Sequence, residues 1–126
     1  MNEIATDEAP ASIGPFSQAI RDGDRLYVSG QGPVDPESGA IVADDIETQT
    51  HAVMENLETV LEAGHSSLEN IVKSTVFVTD MDDYEAINAV YEQYVTEPYP
   101  ARSAVEVSEL PIDIGVEIEV IARVNA

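Results

Sequence analysis

The chain has 126 residues, 44% of them hydrophobic and 6% aromatic, with no cysteine and no tryptophan. That is the size of one domain, 1–126, with enough chain for a hydrophobic core, and the missing thiols exclude disulfides, thiolate metal sites and thiol nucleophiles. Twenty-five acids against five bases give a net charge of −20, with Lys73 the single lysine, so nucleic acid is not the expected partner, because phosphate binding relies on Lys and Arg contacts.

The acids are spread along the whole chain rather than gathered in a tail. That pattern fits either a basic partner or a high-salt, halophilic cytoplasm, where self-repulsion is screened over ~3 Å at about 1 M salt, and the near-elimination of lysine favours the second. No run is long enough for a membrane span, and Met1-Asn2-Glu3-Ile4 has neither the basic flank nor the apolar core of a signal peptide. A cytoplasmic protein without membrane contact is expected.

Taken in order, Glu3 to Thr6 is compatible with a short strand, and the two prolines and glycine of Ala9 to Pro15 mark a loop. Phe16 to Ile20 reads as a strand, Asp22-Gly23 as a hairpin turn, and Arg25 to Ser29 as the returning strand. From Asp45 to Ala63 the period becomes helical: Ile46, Thr50, Val53, Met54, Leu57, Val60 and Leu61 form one stripe, opened by aspartates and closed by Gly64. Ile71 to Val78 is rich in Val, Thr and Phe and reads as a strand. A second helix is expected from Asp82 or Asp83, carrying Tyr84, Ile87, Asn88, Tyr91 and Tyr94 and ended by Pro98 and Pro100. The order predicts an α+β domain, with two helices on one face of a mixed sheet.

The last two runs alternate with period two. In Pro100 to Val107, Ala101, Ser103 and Val105 oppose Arg102, Ala104 and Glu106; in Val116 to Val124, Val116, Ile118, Val120 and Ala122 oppose Glu117, Glu119 and Ile121. If the runs pair antiparallel with their apolar faces together, Arg102 shares a face with Glu117 and Glu119. An arginine beside carboxylates is a candidate anchor for a carboxylate or phosphate, and Glu117 a candidate base. From pattern alone a cross-strand ion pair is the simpler reading, with Glu106 and Glu119 as charged-face residues.

Other motifs carry less. His51 and His65 lack metal-ligand spacing and read as surface residues. Asp80-Met81-Asp82-Asp83 lacks the glycine and terminal glutamate of a calcium loop and reads as helix capping. Gly30-Gln31-Gly32 is too short for a phosphate fingerprint, though it can expose backbone N–H groups to a ligand. Ser29 has no histidine partner for a catalytic triad. Nothing here calls for a metal or a cofactor.

Pro100-Ala101-Arg102-Ser103, Val105-Glu106-Val107, Leu110-Pro111 and Glu117-Ile118-Glu119 resemble the signature of the RidA (YjgF) family, the reactive intermediate deaminases. The likeness extends through Ile13 to Ala19, Val28 to Gln31, Val72 to Val78 and Asn88 to Tyr91. The resemblance implies a chorismate-mutase-like fold in a homotrimer, its sheets forming an inner barrel with ligand clefts between subunits. It also implies hydrolysis of 2-imino acids, 2-iminobutanoate and 2-iminopropanoate, to 2-keto acids and ammonia without a cofactor. Arg102 matches the residue that holds the substrate carboxylate and Glu117 the one that positions water, while Ser29, Gly30 and Asn88 match other pocket positions. Phe16 stands where deaminase members usually have tyrosine, and Ala104 where many have cysteine. The alternative function is a non-catalytic trimer that binds 2-keto acids or regulates a partner; RNA cleavage fits poorly with −20 charge and no paired histidines.

Overall fold

The computed structural model describes residues 1–125. Six strands, β1 (Asn2–Ile4), β2 (Ala19–Asp22), β3 (Arg25–Gln31), β4 (Ile71–Val78), β5 (Ala101–Glu106) and β6 (Val116–Arg123), form one sheet in the order β1-β2-β3-β6-β4-β5. All neighbours are antiparallel except β4 and β5. The last strand of the chain is therefore inserted between β3 and β4. Its Val116, Ile118, Val120 and Ala122 are buried under the helices α1 (Ile46–Ala63) and α2 (Tyr84–Tyr91). Each helix links two strands that run the same way, as crossover connections require. The expected α+β architecture, a mixed sheet with two helices on one face, is the one observed. No helix among the described residues is long and apolar enough to cross a membrane.

Local chemistry accounts for the element ends. Asp45 caps α1 by accepting from the Thr48 N–H at 2.9 Å. At the other end Gly64 is required by space rather than by conformation: a Cβ there would lie 2.6 Å from Leu26 Cδ2. The left-handed residue is the next one, His65, at φ 61°. Asp80 caps the 3-10 turn Met81–Asp83 from its side chain, so the aspartate run is capping, as read. The second helix is shorter than its stripe predicts. Beyond Tyr91 the bonds tighten to Gln93 N–Val90 O and Tyr94 N–Tyr91 O, the usual way a last turn winds down, so Pro98 and Pro100 are not what ends it.

Two further expectations are corrected. The strand predicted from Phe16 begins only at Ala19, because Phe16 turns back to donate to the Gly14 carbonyl at 2.9 Å. His51 is not a free surface residue; it is half-buried, and its Nδ1 shares a 2.7 Å hydrogen bond with the Tyr94 hydroxyl.

Candidate functional site

The larger correction concerns Arg102. Strands β5 and β6 are not neighbours; β4 lies between them and runs parallel to β5. Arg102 pairs with Ser74 and Ser74 with Val120, on the helix-covered side, whereas Glu117 pairs with Phe77 and Phe77 with Val105, on the other. Arg102 and Glu117 therefore lie on opposite faces of the sheet, and no ion pair joins them. The expectation that apolar faces coincide fails because β5 is an edge strand. There the aliphatic stem of an arginine can lie beneath a helix with its head at the margin, while Val105 is left 42% exposed on the far face.

On the helix side, Tyr84, Asn88 and Tyr91 stand at i, i+4 and i+7 of α2 and turn one stripe toward β5. Arg102 Nη2 donates to the Tyr84 hydroxyl at 2.8 Å, and the guanidinium carbon lies 5.5 Å from the Tyr84 ring centroid and 5.0 Å from that of Tyr91. Tyr91 is buried and shares a 2.7 Å hydrogen bond with Ser74. Arg102 and Tyr91 border a cavity of ≈ 330 Å³ whose lining also includes Asn88, Glu92, Val95, Tyr99 and Pro100. Asn88 Oδ1 is buried without a partner. The Asn88 amide and the Arg102 guanidinium hold the Tyr84 hydroxyl below its ordinary pKa. Ala104 follows Arg102 on the same face.

On the outer face, Glu117 borders a groove of ≈ 470 Å³ with Ile13, Phe16, Gly30, Pro111 and Ile112. Strand β3 bulges between Val28 and Gln31, and Ser29 holds the bulge by donating to the Ser17 carbonyl at 2.6 Å. That brings Gly30 so close to Glu117 that a Cβ would lie 2.6 Å from Oε2. Burial, and secondly the Glu119 carboxylate, raises the Glu117 pKa above the ordinary glutamate range. Glu106, read as a charged-face residue, instead accepts from the Met81 N–H at 2.7 Å and ties β5 to the 3-10 turn before α2.

Within one chain the candidate residues thus divide into two half-sites. Arg102, Asn88 and Ala104 form a cationic and aromatic one; Glu117, Gly30 and Phe16 form a carboxyl in an apolar groove, with Ser29 fixing the bulge beside it. Sequence reasoning placed Tyr84 and Tyr91 on a helical stripe but gave them no role; their spacing with Asn88 was the available signal. Among the described residues no group of His, Asp and Glu side chains is arranged to hold a metal ion.

Residues 6–124 match the family described as Endoribonuclease L-PSP. A RutC family protein of Pyrococcus horikoshii is 50% identical over 119 residues, covering 94% of each chain. The 2-iminobutanoate/2-iminopropanoate deaminase of Salmonella typhimurium is 48% identical over 122 residues, again 94% of each. Among solved structures, RidA from an Antarctic Psychrobacter species superposes with a TM-score of 0.95 at 40% identity, covering 98% of this chain and 100% of its own. The fold, the motifs and these matches agree: the chain belongs to the Endoribonuclease L-PSP family, the RidA (YjgF) family that its sequence resembles.

Proposed function

We propose that the protein is a cofactor-independent deaminase that hydrolyses 2-imino acids, 2-iminobutanoate and 2-iminopropanoate, to 2-keto acids and ammonia. The observation that carries this reading is Glu117, a half-buried carboxyl of raised pKa in an apolar groove with no cation beside it. Such a group holds its proton more tightly than a free glutamate, which suits a general base. Arg102 supplies a planar fork for the substrate carboxylate, and Asn88, on the wall of the same cavity, a polar side chain for the imine end.

In the reaction, water attacks C2 of the imine and gives its proton toward Glu117 while the nitrogen takes one up. The carbinolamine then collapses, the C–N bond breaks, and ammonia leaves the 2-keto acid. An imine is already hydrolysed by water, so each tenfold gain asks only ~1.4 kcal/mol of the site.

Because Arg102 and Glu117 face opposite ways, the two halves can act together only if one copy's Arg102 cavity meets another copy's Glu117 groove. We therefore read the protein as a homotrimer with three intersubunit clefts. Supporting this, the outer sheet face carries the exposed side chains Tyr27 and Val105, which association through that face would cover. The test is to generate 2-iminobutanoate and 2-iminopropanoate in situ and follow their decay with and without the protein; no acceleration overturns the deaminase. The second reading, a trimer that only binds 2-keto acids, draws on Phe16, which brings no hydroxyl to the groove. It is the outcome if keto acids bind and imine decay is unchanged.

A further inference from the structure

Arg102 is fixed by a chain of contacts before any ligand arrives. Ser74, fully buried on β4, holds the Tyr91 hydroxyl at 2.7 Å; the Tyr91 and Tyr84 rings lie 5.0 and 5.5 Å from the guanidinium carbon; and Arg102 Nη2 donates to the Tyr84 hydroxyl at 2.8 Å. The rings restrain the guanidinium through their faces, which attract a cation but leave it free to turn in its own plane. Only the hydrogen bond to Tyr84 fixes that rotation. It uses one of five N–H donors and leaves the others for a planar acceptor.

We propose that Tyr84 is a positioning residue for the anion seat: its hydroxyl sets the guanidinium plane so that the free edge of Arg102 meets the carboxylate of a small 2-imino or 2-keto acid lying in the cavity of Tyr91, Val95, Tyr99 and Pro100, with the exposed Glu92 at its margin. The inference rests on the reading of Arg102 as carboxylate anchor and adds a residue to it. An arginine free to rotate loses that freedom on binding, whereas here it is already lost. The lowered pKa of the Tyr84 hydroxyl agrees, since it reflects donors aimed at that oxygen.

Tyr84→Phe keeps the ring and removes the hydroxyl. In steady-state hydrolysis of 2-iminobutanoate, KM is expected to rise on the order of tenfold, as for loss of a hydrogen bond to a charged group, with kcat within about twofold. Calorimetric binding of 2-oxobutanoate should weaken by the same factor. In the Arg102→Lys background, where the fork is already lost, Tyr84→Phe should add nothing further, which a merely structural role would not produce. In ultraviolet titration, Tyr84→Phe should remove a tyrosine that titrates below the ordinary range. An unchanged KM and keto-acid affinity in folded Tyr84→Phe overturns this inference and leaves the deaminase standing, as does a fall in kcat alone. A wild type that neither hydrolyses the imine nor binds the keto acid overturns both.

Discussion

At Glu117, burial and the neighbouring Glu119 charge both oppose ionisation, which links activity to stability at one residue. A carboxyl whose pKa is higher in the folded than in the unfolded chain binds its proton more tightly when folded. Stability then falls as pH rises from the ordinary glutamate value of 4.5 through the raised one. Glu117→Gln removes that slope. The variant should melt like wild type below 4.5 and at a higher temperature at neutral pH, while imine hydrolysis falls by roughly 10²-fold or more and 2-keto acid binding is kept. A neutral-pH melting point at or below wild type would show that the carboxylate has a stabilising partner. Gly30 gives an independent handle: a methyl placed 2.6 Å from Oε2 and 2.8 Å from Cδ must push the carboxyl aside. Gly30→Ala should fold, lose at least about tenfold in kcat and retain keto-acid affinity through the untouched Arg102 half. Full activity in Gly30→Ala would mean that the position of Glu117 is not critical.

The loops around the Glu117 groove are each held by a buried side-chain amide. Gln18 Nε2 donates to the carbonyls of Thr6 and Pro10 at 3.1 and 2.8 Å, and its Oε1 accepts from the Thr6 N–H at 2.7 Å. Asn56 on α1 bonds the Gly32 and Val34 carbonyls, and Gln49 bridges the Ala43 carbonyl to the Gly115 N–H. Irregular backbone beside a core needs such partners. Gln18→Ala strands several of them and is expected to lower unfolding free energy by about 2–3 kcal/mol in urea denaturation. Its first visible effect should be faster amide exchange at Thr6; unchanged exchange there would mean that the loop is held by other contacts. The regular elements were legible because their signals are local: the α1 stripe with Asp45 before it, the Val- and Thr-rich β4, and the alternation of β6. Strand order was not, because periodicity records which face of a strand is apolar but not which strand lies beside it. The chain's last strand takes the centre, and the edge strand β5 can turn Arg102 toward the helices only because α2 presents two tyrosines there. The candidate site residues were named through family motifs; their division between two faces was not legible.

At the scale of the molecule, the exposed acids of the helical layer, among them Glu47, Glu55, Glu62, Glu85 and Glu92, have no bases among them. The apolar residues Tyr27 and Val105 lie on the opposite face. Association through that face buries apolar surface, which salt strengthens or leaves intact, but it also brings together chains of net charge −20 each. The repulsion is long-ranged at low ionic strength, where the Debye length is ~10 Å at 0.1 M, and nearly gone at ~3 Å near 1 M. The two effects act in the same direction as salt rises, so folding and assembly are expected to be coupled to it. Light scattering near molar salt should return three times the 13.6 kDa chain mass, with smaller species gaining weight as salt is removed and the melting temperature falling in parallel. Imine hydrolysis should follow the trimer fraction rather than the folded fraction, because the proposed cleft takes Arg102 from one copy and Glu117 from another. A monomer at molar salt that still hydrolyses the imine would sink the intersubunit cleft. A trimer equally stable in dilute buffer would show instead that the buried apolar face outweighs the charge on its own.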